Sequence, residues 1–211
     1  MDMLCLTVGP LQANCCLVWD DARRACAVDP GGEPDRLAGV VERKDLDLQA
    51  ILVTHGHFDH VEGVSCLAAL TGARVYCSPL AVPTLTGSQG CAATGFPVPT
   101  VAEQTLTAVE EDSRLQVGDL AVVVINTPGH TPGDVTYDIN GHLFCGDLLF
   151  HLSVGRTDFP GGDFAQLIAS ISRLIGGYPP STPVYPGHMN STTLGEELAH
   201  NPFLVELRFD G

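Results

Sequence analysis

Three histidines and an aspartate crowd into six residues of the stretch Thr54-His55-Gly56-His57-Phe58-Asp59-His60. Imidazole nitrogens and carboxylate oxygens are the donors that hold divalent first-row metals, and this density of them suits a metal centre better than a solvated loop. A continuous helix would spread these side chains around its surface, whereas a tight turn directs them at one centre. Gly56 is expected to let the backbone fold closely there. A second turn, Thr127-Pro128-Gly129-His130-Thr131-Pro132-Gly133, holds a lone histidine. Alone, His130 reads as a loop residue; beside the first cluster it becomes a further ligand to one metal. Gly146-Asp147 adds a carboxylate whose two oxygens can bridge two cations, with Gly146 permitting close approach. Metal coordination lowers the pKa of bound water to ~7 and so supplies a nucleophile at neutral pH. The chemistry to expect is hydrolysis of an activated acyl or phosphoryl bond.

Strands must position these groups. Gln49-Ala50-Ile51-Leu52-Val53-Thr54 is a short apolar run of the kind that makes a buried strand, and Val61, Val64, Leu67 and Leu70 follow at helical spacing. The histidine cluster therefore falls in a loop at a strand end, where α/β proteins place reactive groups. Leu115 to Asn126 reads as a hairpin turning at Gly118-Asp119 and ending at the His130 turn. Asn140-Gly141 is a strong hairpin signal between Asp134–Ile139 and His142–Cys145, and the second strand delivers Asp147. Pro183-Val184-Tyr185 delivers Pro186-Gly187-His188. Upstream, Cys5–Val8, Asn14–Trp19 and Ala25–Val28 read as strands, and Asp29-Pro30-Gly31-Gly32 opens a helix with Pro34 in its first turn and Leu37, Val40 and Val41 on its apolar face. Asp163 is a plausible N-cap for a helix with Leu167, Ile171 and Leu174 inward, ending at Gly176-Gly177. A short helix from Glu196 halts before Pro202. Residues 78–100 contain four Pro and three Gly without periodicity and read as a long surface loop with at most one short helix, either a lid or a mere insertion.

Composition narrows the class. A chain of 211 residues with 45% hydrophobic residues and no linker or repeat is expected to form a single domain over residues 1–211. Ten basic residues against 25 acidic, a net −15 with Lys44 the only lysine, argue against a nucleic-acid surface. No apolar run is long enough to cross a bilayer, and the start lacks the pattern of a secretory leader. The eight cysteines, none in CxxC spacing, are therefore expected to be reduced, mostly buried thiols in a cytoplasmic protein. Cys15 and Cys16 should point to opposite faces of a strand. His142 and His200 read as structural or solvated, and His151 as a surface or core residue that can also line the pocket.

His55-Gly56-His57-Phe58-Asp59-His60 resembles the HxHxDH signature of the metallo-β-lactamase superfamily. The resemblance implies a four-layer αβ/βα sandwich, an α/β fold with two mixed sheets flanked by helices and a two-metal site at one edge. It also implies a lone His, a bridging Asp and a final His in that order, met here by His130, Asp147 and His188. His55, His57 and His130 then suit one metal with room for solvent. Asp59, His60 and His188 suit a second, Asp147 is shared, and Asp59 can also take a proton in the attack step. Zinc fits this His-rich set, and iron or manganese also accepts imidazole with carboxylate. The position of Asp29 matches one that supports the metal centre in the family, though an ordinary turn Asp fits as well.

Gly-Arg-Thr-Asp-Phe-Pro at 155–160, Pro-Gly-His at 186–188, residues 191–196 and Asn-Pro-Phe-Leu at 201–204 are similar to short glyoxalase II-like hydrolases, which cleave the thioester of S-lactoylglutathione. Arg156 matches a residue that contacts substrate there. The chain differs from the full-length glyoxalase II enzymes in stopping at Gly211 without their C-terminal helical region, and from the short subfamily in reading His188-Met189-Asn190 where His-Gly-Pro is usual. An anionic glutathione conjugate would also need a local basic patch on a chain of charge −15, with Arg156 the obvious contributor. A small-molecule thioester hydrolase, acting on a glutathione conjugate or another thioester, is the expectation. Persulfide dioxygenases share the signature and the Gly-Arg-Thr-Asp-Phe segment, with one iron on residues matching His55, His130 and Asp147. A metal-binding scaffold without catalysis is the remaining alternative.

Overall fold

Fourteen strands and six α-helices are present among the residues that the computed structural model describes, 1–87 and 100–208. In chain order they are β1 (Asp2–Val8), β2 (Ala13–Trp19), β3 (Arg24–Val28), α1 (Pro34–Arg43), β4 (Asp47–Leu52), α2 (Phe58–Val61), α3 (Val64–Thr71), β5 (Arg74–Cys77) and α4 (Val82–Leu85). β6 (Leu106–Ala108), β7 (Arg114–Val117), β8 (Leu120–Asn126), β9 (Val135–Ile139), β10 (His142–Gly146), β11 (Leu149–Phe150) and β12 (Ser153–Val154) follow. The chain closes with α5 (Phe164–Gly177), β13 (Pro183–Pro186), β14 (Thr192–Thr193) and α6 (Leu194–His200).

One sheet runs in the order β1-β2-β3-β4-β5-β6 and a second β14-β13-β10-β9-β8-β7; each mixes parallel and antiparallel pairs. Alternate residues of a strand face opposite sides, and here both sides are buried. Leu17, Ala27, Ile51 and Val75 point outward into a core closed by Leu37 and Val40 of α1 and Val64 and Leu67 of α3. Their neighbours Val18, Cys26 and Leu52 point inward and meet Leu120, Val122, Val124, Tyr137 and Phe144 of the second sheet. Leu143, Cys145 and Val184 face the other way, onto Leu167, Ile171 and Leu174 of α5. The result is a helix-sheet-sheet-helix stack, as expected from the resemblance. Among the described residues, no helix is long and apolar enough to cross a membrane.

Several local expectations change. The histidine cluster is not all loop: His55 and His57 are, but Asp59 and His60 lie in the single helical turn of α2, and Gly63 separates it from α3. Gly56 has no positive φ, and a Cβ there would meet only the Thr84 side chain at 3.2 Å, so it is not the residue that permits the tight approach. Helix α5 ends at Gly177 as expected, with Tyr178 as the residue that caps it, and α6 begins at Leu194 with Thr193 as its cap. The hairpin β11-β12, which carries no strong turn signal, and β6 were not anticipated from sequence. Of the proposed loop or lid over 78–100, α4 is a short helix and residues 88–99 lie outside the described residues.

The cysteines also need correction. Cys15 and Cys16 do face opposite sides of β2, but Cys16 lies directly opposite Cys5 in the β1-β2 register and the two form a disulfide. Cys66 is exposed; Cys15, Cys26, Cys77 and Cys145 are buried thiols. Spacing along the sequence says nothing of which residues a cross-strand register makes face each other.

Candidate metal centre

Five strand ends converge at one edge of the stack. Asp29 follows β3, His55 and His57 follow β4, His130 follows β8, Asp147 follows β10 and His188 follows β13. All seven residues proposed as ligands from the sequence meet there. The donor atoms of His55, His57 and His130 lie within 4.8 Å of one another, and so do those of Asp59, His60 and His188. Asp147 stands between the two groups. Its Oδ1 lies 3.3 Å from His60 Nε2, and its Oδ2 lies 3.6 Å from His130 Nε2 and 3.8 Å from His188 Nε2. Asp59 Oδ2 lies 3.2 Å from His188 Nε2.

A chain of hydrogen bonds aims these lone pairs. Asp29 accepts from the Thr54 amide at 2.8 Å and from the Thr54 hydroxyl at 2.6 Å. Having donated its proton, Thr54 Oγ1 can only accept from His55 Nδ1, 3.1 Å away, which leaves His55 Nε2 as a bare acceptor. His60 Nδ1 donates to Asp29 Oδ2 at 3.0 Å, and His130 Nδ1 to the Arg156 carbonyl at 2.7 Å, with the same consequence for their Nε2 atoms. His130 Nε2 then faces His57 Nδ1 at 2.8 Å. Among the described residues, four buried side-chain polar atoms have no hydrogen-bond partner, and three of them are here: His55 Nε2, His60 Nε2 and Asp147 Oδ1. Orphaned buried acceptors are costly, and a cation is what three convergent ones call for. The donor set therefore fits divalent metal.

The electrostatics divide along the same line. Burial, reinforced by neighbouring imidazoles, holds His55 well below its ordinary value and His57 down at about 4. At His130 burial outweighs the pull of Asp147, and the shift is again downward. These three are neutral ligands at pH 7, the form a metal needs. At His60, burial is overcome by Asp147 and Asp29, which hold it well above its usual value; at His188 it is overcome by Asp59 and Asp147. Burial would raise Asp147, but the surrounding imidazoles, His60 first, hold it well below the carboxylate range. Without a cation, the carboxylate-rich half takes its positive charge from protons, so His60 Nε2 then carries one toward Asp147 and is a bare donor atom only when a cation displaces it.

Two glycines permit this crowding. Gly146 has φ +51°, and a Cβ there would sit 2.3 Å from Thr54 Oγ1. A Cβ on Gly187 would lie 2.5 Å from both Asp147 Oδ1 and His60 Cε1. The expectation of close approach at Gly146 is met.

Other groups were invisible as site residues in the sequence. Asn14 holds the turn that bears His188: its amide donates to the Gly187 carbonyl at 2.7 Å, and its Nδ2 to the Pro186 and Met189 carbonyls at 3.1 and 2.8 Å. Glu197 of α6, wholly buried, accepts from the Leu152 amide at 2.8 Å, Thr192 Oγ1 at 2.6 Å and Asn201 Nδ2 at 2.8 Å, and faces His151 Nδ1 at 3.3 Å. It anchors the β11-β12 hairpin, whose Phe150, Ser153 and Val154 line the cavity over the site. Thr192 and Asn201 lie within five residues of it, but the contacts with His151 and Leu152, which tie it to the hairpin, span 46 and 45 residues and leave no short-range signal. Glu197→Ala leaves those donors buried and unpaired, and is expected to lower unfolding free energy by about 3–5 kcal/mol in urea denaturation. A variant within about 0.5 kcal/mol of the parent would show that the network carries no weight. Of the free histidines, His151 thus binds Glu197, His142 packs on Tyr185 and His200 pairs with Glu196; none joins a metal-binding group. The Arg156 guanidinium lies at the cavity, bonded twice to Asp158.

Filling the site should stabilise the fold. At a free zinc concentration a hundredfold above Kd, linkage adds about 2.7 kcal/mol, which is about 5–10 °C in Tm for a chain of this size. Thermal melts of chelator-treated protein with and without zinc check this, and coincident melts would count against a metal site.

Comparison with known proteins agrees with this geometry. The family model of the metallo-β-lactamase superfamily matches residues 8–188, and the chain belongs to that superfamily. Hydroxyacylglutathione hydrolase GloC of Haemophilus influenzae is 35% identical over 208 residues, covering 97% of this chain and 98% of its own. Among solved structures, BLEG-1 B3 metallo-β-lactamase superposes with a TM-score of 0.87 at 37% identity, over 97% of this chain and 100% of that one. A protein solved in a di-iron-bound form gives 0.84 at 41% identity, over 95% and 100%. ETHE1 from Myxococcus xanthus gives 0.78 at 30% identity, over 98% and 89%.

Proposed function

We propose that this chain is a glyoxalase II-like hydrolase that cleaves a small-molecule thioester, S-lactoylglutathione or a simpler one, at a centre of two divalent metal ions. The reading rests on one observation above all: two facing donor groups, His55/His57/His130 and Asp59/His60/His188, with the Asp147 carboxylate between them. Each group would hold one ion, and the imidazole-rich set suits zinc, with iron or manganese as alternatives. When bound, such ions activate water near neutral pH and polarise the acyl carbonyl. Asp59 has a further task, since its carboxylate lines the cavity and can take the proton from the attacking water. Thr54 and Asp29 keep the His55 and His60 rings from turning away, so that the donors are set before substrate arrives. Phe150, Val154 and Phe159 give the cavity an apolar wall beside the donor groups.

A single-iron persulfide dioxygenase is the second reading, favoured by the 30% identity to ETHE1 and by the Gly155–Phe159 segment lying against His130. It leaves Asp59, His60 and His188 without a ligand role, although they form a complete donor group here. Metal content of protein purified without added metal, paired with hydrolysis of S-lactoylglutathione and a panel of simple acyl thioesters, tests the two. About two metals per chain, with turnover lost in Asp59→Ala, is the expected result. One iron per chain, no thioester cleavage and oxygen uptake with glutathione persulfide would transfer the assignment to the dioxygenase. Faster cleavage of a β-lactam than of any thioester would transfer it to amide hydrolysis.

A further inference from the structure

The cavity over the metal centre has a volume of about 340 Å³, and away from the donor cluster its walls are apolar: Leu11, Phe150, Val154, Phe159 and Met189. Leu11 is 53% and Met189 59% exposed, so the rim presents aliphatic surface to incoming ligand. Isolated exposed apolar residues are ordinary, but here they ring the mouth of a site. Among the described residues, the cation in the lining other than the histidines is Arg156, and one side of its guanidinium is already engaged. Its Nε and Nη2 each donate to a different oxygen of Asp158 at 2.7 Å, and its guanidinium carbon lies 3.9 Å over the Phe159 ring. A fork–fork pair of this kind uses the geometry with which arginine would clamp a ligand carboxylate.

A glutathione thioester brings two carboxylates. One would meet an Arg156 whose charge Asp158 already neutralises and whose Nε–Nη2 side it occupies, leaving only the Nη1 side open, and the other would meet aliphatic rim on a chain of net charge −15. An uncharged thiol arm and a hydrocarbon acyl chain meet neither cost, and each would cover apolar wall. We propose that the preferred substrates are aliphatic acyl thioesters of an uncharged thiol arm, with Asp158 acting through Arg156 to disfavour anionic carriers. This rests on the thioesterase reading above and names its substrate class.

Matched probes test the proposal. S-hexanoyl-N-acetylcysteamine and S-hexanoylglutathione share the acyl group and differ in carrier charge; S-acetyl-N-acetylcysteamine shares the neutral carrier and lacks the chain. With metal-replete enzyme, kcat/KM is expected to be about tenfold or more higher for the neutral hexanoyl thioester than for either of the others. Asp158→Asn, at an exposed position, should raise kcat/KM for S-hexanoylglutathione about fivefold by freeing the guanidinium. The non-hydrolysable thioethers S-hexyl-N-acetylcysteamine and S-hexylglutathione, titrated calorimetrically, read the cavity without turnover, and the neutral one should bind about tenfold more tightly. Equal or better binding and turnover of the glutathione forms, or an Asp158→Asn protein with an unchanged carrier ratio, would overturn the proposal. Cleavage of no thioester at all, with the thioether preference intact, would overturn the thioesterase reading and leave the cavity's selectivity standing.

Discussion

Asp147→Asn protein is expected to fold, to bind less metal and to lose thioester turnover by about 10³-fold or more, equivalent to ~4 kcal/mol of transition-state stabilisation. The substitution keeps size and shape and removes one charge at the point where that charge has no substitute. Asp147 is the carboxylate that reaches both donor groups, with contacts of 3.3 Å to His60 Nε2, 3.6 Å to His130 Nε2 and 3.8 Å to His188 Nε2. Its Oδ1 is buried with His60 Nε2, at 3.3 Å, as the facing group, and a cation bound between them would take the place of the proton they share. An asparagine would turn a neutral oxygen or an NH₂ group into the same space. The NH₂ would repel a cation, and the oxygen would hold it only weakly. Metal per chain by mass spectrometry, with turnover at saturating metal, checks the prediction. Retention of full metal content and activity would remove Asp147 from the centre.

The second large effect is at Asp29, which touches no proposed substrate and lies outside both donor triplets that stand nearest the cavity. Its carboxylate receives the Thr54 amide, the Thr54 hydroxyl and His60 Nδ1, all buried. Asp29 sits at φ 48°, a conformation that Asn tolerates and Ala does not, so Asp29→Asn isolates the chemistry from backbone strain. The Asn oxygen can still take the Thr54 amide. Its NH₂ group, however, then faces Thr54 Oγ1 and His60 Nδ1, both of which were donating, and the tautomers that leave His55 Nε2 and His60 Nε2 bare lose their support. Metal affinity is expected to fall about 10–100-fold, the usual effect of removing a partner that orients a metal-binding imidazole. Unfolding free energy of the metal-free protein should fall by about 1–3 kcal/mol for the mismatched buried donor. Competition with a chromophoric chelator measures the first and urea denaturation the second. Loss of stability with unchanged affinity would make Asp29 a turn residue only.

Together these effects describe a centre whose first layer is aimed by a second. His55 depends on Thr54, Thr54 and His60 depend on Asp29, His130 depends on the Arg156 carbonyl, and the His188 turn hangs on Asn14. The hairpin that roofs the cavity depends on Glu197.

By itself the sequence determined the donor types, their order along the chain and the strands that deliver them. These are local properties: a short apolar run followed by Gly, His and Asp reads as a strand end, and Asn140-Gly141 reads as a hairpin, because backbone preference and burial act over a few residues. The helix-sheet-sheet-helix stack was legible too, through resemblance rather than periodicity, since strands buried on both faces show no alternation to read. Only the tertiary structure decided the rest. The Asp29-Thr54-His55 relay spans 25 residues of chain, the Glu197 contact with Leu152 spans 45, and the Asn14 grip on Met189 spans 175. The disulfide partner of Cys5, the helical turn under Asp59 and His60 and the pairing that occupies Arg156 likewise arose from register, packing and side-chain rotamer. Such contacts carry no spacing rule, because each depends on how two distant segments approach once the cores between the layers have closed.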